Sequence, residues 1–192
     1  MRIILISAAL VFANEAAADA YWDYKDWTVS ISDIDTGQDL RRTCRASTGG
    51  DGLPSVSITT SNGDVGPPYD YPVPLFRETA PRGYATQIQT GDYIVYEFDD
   101  GQGAEATLEM GYEEDVFPFA HASPFPGEVD WMLGRMLAAQ SVTFYRVNET
   151  LPAHQDGSIG REVVYTASLS GFTAAYLKMM ESCGHVPGDI IG

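Results

Sequence analysis

Short apolar stretches, cut at close intervals by glycine, proline, aspartate and asparagine, run through most of this chain and restrict it to strands joined by turns. In WTVSI, Trp27, Val29 and Ile31 alternate with polar residues and share one face. LRRTCRAS (40–47) and SVSITTS (55–61) read as the next strands, with TGGDGLP turning the chain between them. YATQIQT (84–90) and YIVYEF (93–98) flank Gly91-Asp92, which predicts a hairpin with Ile94, Tyr96 and Phe98 pointing inward. DDGQG then turns the chain into AEATLEM, and SVTFYRV and REVVYTASL supply two later strands.

Two segments change period. In PGEVDWMLGRMLAAQ (126–140), Val129, Met132, Leu133, Met136 and Leu137 form one helical stripe. In SGFTAAYLKMMESC (170–183), Phe172, Ala175, Tyr176, Met179 and Cys183 do the same, with Ser170 placed just before the helix as an N-cap or turn residue. Strands dominate and the helices come late. The expected fold class is therefore mainly β (α+β), an antiparallel β-sandwich or barrel with two packed helices, the last one C-terminal. Neither an internal repeat nor a long linker divides the chain, so residues 21–192 are expected to form a single domain.

Residues 1–20 read as a cleaved export signal. Arg2 gives a minimal positive start, Ile3–Ala13 is apolar, and Ala18-Asp19-Ala20 forms an A-x-A cleavage site before Tyr21. The apolar run is shorter than the roughly 20 residues a bilayer requires. A formal charge of -16 makes nucleic acid a poor partner, because phosphate is repelled. The plain consequence of that charge is solubility; the sharper one is attraction to a basic partner. Cys44 and Cys183 are the two cysteines, and in an oxidising compartment such a pair forms a disulfide. No CxxC suggests a metal or redox centre.

No group of residues makes a convincing catalytic set. In DIDTGQD, Asp33, Asp35 and Asp39 have calcium-loop spacing, but Gln38 stands where glycine is required and Cys44 where the bidentate glutamate belongs. A hairpin turn fits better, and no metal or other cofactor is expected. His121, His154 and His185 are scattered near prolines and glycines, in loop or tail, and read as surface residues. Neither Ser168 nor Ser170 has the flanking glycines of a nucleophile elbow. Arg41, Arg42 and Arg45 gather a large share of the few cations; Arg41 and Arg45 would share a strand face and are the candidate anion contacts. GDVGPPYDYPVPLF (63–76) sets Tyr69, Tyr71 and Phe76 among four prolines, as a rigid loop or a preordered contact loop. Asn148-Glu149-Thr150 is a glycosylation sequon in a host that glycosylates its exports.

The closing stretch VVYTASLSGFTAAYLKMMESC resembles the strand-Ser-Leu-x-Gly-Phe-helix ending of the invasion-associated locus B family of exported bacterial proteins. APRGYATQIQTGDYIVYEFDDG (80–101) is similar to that family's proline-glycine turn and hairpin, and WMLGRMLAAQSVTFYR (131–146) to its helix leading into a strand. The resemblance covers about two-thirds of the segment after the leader. It departs at the proline-rich insertion and at the absence of a cysteine pair between Cys44 and Cys183. It implies a β-rich domain, periplasmic or secreted, from a Gram-negative bacterium, with a loose association with host or envelope interaction. The expected function is accordingly non-enzymatic: binding another protein or a cell-envelope component, without a membrane span. The alternatives are a hydrolase with an unrecognised serine or carboxylate site, and a small-ligand carrier with a cavity between sheet and helices.

Overall fold

The computed structural model describes residues 20–35, 40–50, 52, 54–62, 72–114, 116–149, 151–152 and 160–186. Of the expected leader only Ala20 is among them, as the first residue of β1 (Ala20–Tyr24). The chain continues through β2 (Trp27–Asp35), β3 (Leu40–Gly49), β4 (Ser55–Asn62) and β5 (Val73–Thr79) as an antiparallel meander. A loop then carries it away to β6 (Tyr93–Phe98). From there β7 (Gly103–Glu113) and β8 (Phe117–Pro124) return by hairpins until β8 pairs with β5. Helix α1 (Val129–Ala138) crosses back to β9 (Ser141–Val147) on the other side of β6. β10 (Arg161–Ser168) and helix α2 (Phe172–Ser182) finish the fold.

The strand order β1-β2-β3-β4-β5-β8-β7-β6-β9-β10 is one sheet folded over on itself. Phe76 of β5 stacks on Phe144 of β9 with ring centroids 4.6 Å apart, so strands distant in the sheet face each other across the core. Among the described residues β1 and β10 do not pair; the sheet is not closed, and the architecture is sandwich-like rather than a barrel. The expected alternation holds: Trp27, Val29, Ile31, Ile94, Tyr96 and Phe98 are all buried. The α1 stripe buries Val129, Met132, Leu133 and Met136, with Leu137 partly covered.

α2 lies over β1, β2 and β3, where Phe172 meets Trp27 edge-on at 4.7 Å. Ser170 does not cap it. Gly171 takes the N-cap position at φ 92°, and Ser170 belongs to the turn before, where its carbonyl accepts the Asp26 N–H. The reason is steric: a Cβ on Gly171 would stand 1.9 Å from the Tyr24 carbonyl oxygen, so only glycine lets the β1–β2 turn dock there. At the other end the Gly184 N–H reaches Glu181 O and the His185 N–H reaches Met180 O, a Schellman closure. The His185 ring sits 3.1 Å from Thr60 Oγ1 and 3.2 Å from Ser61 O. It is therefore a half-buried tie to β4, not the free surface residue its setting in the sequence suggested.

Cys183 ends α2 and is bonded to Cys44 on β3, with Cα atoms 6.0 Å apart. The pairing expected from the cysteine count is present. A sequence separation of 139 gives about 5 kcal/mol of stabilisation on the chain-entropy account.

Three local expectations fail for identifiable reasons. YATQIQT is not a strand, so the hairpin around Gly91-Asp92 does not form; its backbone is bonded to side chains instead of to a neighbouring strand. The last residues of the proline-rich segment are strand and not loop, since β5 begins at Val73. Pro74 is tolerated because β8 pairs with β5 only from Phe76 onward, so that among the described residues one side of β5 has no strand partner at the proline. His121 is not in a loop but inside β8, stacked on Phe119 at 4.3 Å.

Candidate functional site

A β protein hides most of its large apolar side chains, so their exposure together at one place is informative. Tyr84 is 72% exposed, Tyr112 69% and Met110 38%. All three line one open groove of about 570 Å³ between residues 83–90 and the β7–β8 hairpin. Thr86, Gln89, Val116 and Phe119 complete its walls.

Strand lengths create the groove. β7 has 11 residues and β6 has 6, and the two pair only where Gly103 to Ala106 lie against β6. Among the described residues, β7 from Thr107 to Glu113 is in ladder with β8 alone. This overhang carries Met110 and Tyr112 beyond the core. On its opposite face are Glu109 and Glu113, with Glu113 ion-paired to Arg77 of β5.

The facing loop is held firmly although it is not a strand. Thr86 and Ile88 are buried anchors, and the Ala80 N–H bonds Pro118 O at 3.0 Å. The Glu78 carboxylate, only 6% exposed, accepts the Gln87 N–H at 2.6 Å and the Ile88 N–H at 3.3 Å. Asp92 accepts the Gln89 N–H at 2.8 Å and the Asn148 side-chain amide at 2.7 Å. Arg146 donates to Gln87 O at 2.9 Å while also bonding Glu162, and that bond comes first in holding its guanidinium above the usual value. Charge-assisted bonds to backbone groups fix the loop, so Tyr84 stands on a preorganised wall.

Behind the groove, Phe119 lies across Gly111 and against His121. Burial first, then the like charge of Arg77, hold the His121 imidazole below its ordinary value; Glu109 and Glu113 pull the other way. Its Nε2 has no hydrogen-bond partner among the described residues.

The residues singled out from sequence do not converge here. Tyr69 and Tyr71 lie outside the described residues, as does His154. Phe76 is 1% exposed and belongs to the core, so it offers no contact surface: alternation along β5 turns it inward against Phe144. Arg41 and Arg45 stand on one face of β3 as expected, but four residues apart, about 13 Å along a strand. Arg45 is partly buried, and desolvation followed by the Arg77 charge lowers its guanidinium below the usual value. The two arginines therefore do not close on one anion. Arg42, between them, bonds Asp33 at 2.7 Å and 2.8 Å.

The Ser168 hydroxyl donates to Asp26 at 2.7 Å and accepts the Ser170 N–H at 3.2 Å, which pins the β1–β2 turn to the end of β10. No histidine is among its hydrogen-bond partners in the described residues. Among those residues no three His, Cys, Asp or Glu side chains gather as a metal site needs, and no helix is long and apolar enough to cross a membrane.

Tyr84, Met110 and Tyr112 were not legible as a group. One signal pointed to them: a strand as long as GAEATLEMGYE, beside one as short as YIVYEF, must overhang its neighbour.

No protein-family model matches the chain, and no curated protein or solved structure matches it significantly.

Proposed function

We propose that this is an exported protein, periplasmic or secreted, that binds another protein or a cell-envelope component through the groove between residues 83–90 and the β7–β8 hairpin. The observation that carries the reading is the gathering of exposed Tyr84, Met110 and Tyr112 around one groove whose loop wall is fixed by buried polar bonds. Aromatic side chains on a rigid frame gain contact area while losing little conformational entropy on binding. The Cys44–Cys183 bridge supports export, because oxidising compartments are where such bonds persist. The resemblance to the invasion-associated locus B family points toward the same compartment.

The test is capture from an extract of the exported fraction, using the wild-type protein and a Tyr84→Ala/Tyr112→Ala variant. A partner retained by the wild type and lost by the folded variant is expected. Equal retention by both would remove the groove from the reading.

A further inference from the structure

The same groove has a second property that aromatic exposure does not explain. Among the described residues, β7 from Thr107 to Glu113 has a strand neighbour on its β8 side only. An unpaired strand edge presents a row of backbone donors and acceptors and is a template for another strand. Over this span it is about 20 Å long. The loop that would otherwise cover it runs along the groove's far wall at Gln89 and Thr90.

We propose that the open edge of β7 takes an extended segment of a partner protein by strand addition, and that the segment alternates apolar or aromatic residues with lysine or arginine. This rests on the groove reading above and specifies its mode and its partner chemistry.

The alternation follows from β7 itself. Leu108, Met110 and Tyr112 point to one face, and Glu105, Glu109 and Glu113 to the other. A residue on an added strand shares a face with the residue opposite. Side chains opposite Met110 and Tyr112 enter the groove beside Tyr84; side chains opposite Glu109 face carboxylates. The chain's charge of -16 favours a cationic segment at longer range as well.

A second copy of this chain is the wrong occupant. Antiparallel self-pairing of β7 would set its glutamate face against an identical one, and like charges across strands repel. Glutamates on a free edge keep copies apart while leaving the edge open to a basic strand.

The test uses the full chain and a synthetic peptide alternating lysine with valine and tyrosine. A scrambled peptide of the same composition and an alternating glutamate peptide serve as comparisons. Amide exchange of residues 107–113 and binding are read together. The lysine peptide is expected to slow exchange at alternate amides of that span and to bind at least about tenfold tighter than the scrambled one. A Glu105→Lys/Glu109→Lys variant, which leaves the core untouched, is expected to reverse the preference toward the glutamate peptide. Equal binding of ordered and scrambled peptides, or no binding at millimolar concentration, overturns strand addition. So does a dimer formed through β7 by the protein alone. If the peptide perturbs Tyr84 and Tyr112 but leaves the 107–113 amides unprotected, strand addition falls and the groove reading stands. If the amides are protected while Tyr84→Ala/Tyr112→Ala leaves partner capture unchanged, the groove reading falls and the edge remains a strand acceptor.

Discussion

The two ends of the sandwich are held by opposite means. Where α2 covers β1 to β3, order comes from apolar burial and one covalent bond: Phe172, Tyr176 and Met179 are at most 1% exposed, and Cys183 joins Cys44 beneath them. At the groove, order comes from buried carboxylates and an arginine, and the largest apolar side chains stay in solvent. The first arrangement stabilises the whole chain. The second fixes local shape while leaving surface free for contact, which is what a recognition site needs.

The largest expected effect breaks the first end. A Cys44→Ala/Cys183→Ala variant removes the 139-residue closure and should lose about 3–5 kcal/mol in denaturant unfolding. Amide exchange at Gln87 and Ile88 should change only as far as global unfolding limits it. A loss below about 1 kcal/mol would mean that helix docking by Phe172 and Met179 suffices without the bond.

The contrast also separates what the sequence made legible from what it hid. Strands with strict alternation, such as Trp27 to Ile31, could be read because one local period decides which side is buried. The disulfide could be read because two cysteines allow one intramolecular pairing. YATQIQT alternates as a strand does, with Thr86 and Ile88 inside while Gln87 and Gln89 are out. The error lay in the hydrogen-bond partner: Glu78 takes two N–H groups that a strand ladder would have used, and nothing local announces that. Whether Ser170 caps the helix or belongs to the turn stayed open for the same kind of reason, because the approach of Tyr24 to Gly171 is a tertiary fact. The site depends on how far β7 outruns β6, a relation between two strands that neither encodes alone.

A smaller and more local effect is expected from Glu78→Gln. Glutamine offers one carbonyl oxygen where the carboxylate offered two acceptors, so one buried N–H of Gln87 or Ile88 would face an amide N–H. The cost is about 1–3 kcal/mol, placed on the loop rather than on the sheet. Exchange at Gln87 and Ile88 should accelerate by about tenfold or more, while amides of α2 keep their protection. A uniform acceleration across both regions would show the loop and the helix end to be one cooperative unit, and the contrast would then be false.

The smallest effect is a difference in pH window. In the folded chain His121 is held below its usual value, first by burial and then by Arg77, so the unfolded chain binds more protons as pH drops. Its contribution is fully present above about 6.5 and is lost progressively as pH falls from there through the lower, folded-state value. Asp33, near the disulfide end, is held below the usual carboxylate range first by its hydrogen bond to Arg42. Its contribution is present above about 3.9 and is lost only as pH falls through the lower, folded-state value. Acidification should therefore weaken the groove end before the disulfide end. His121→Phe keeps an aromatic ring against Phe119 and removes the titrating group. Unfolding midpoints measured from pH 8 down to about 5 should fall in the wild type and stay flatter in the variant. Equal slopes in both proteins would assign the acid sensitivity to other groups and leave the groove end without a titratable weakness of its own.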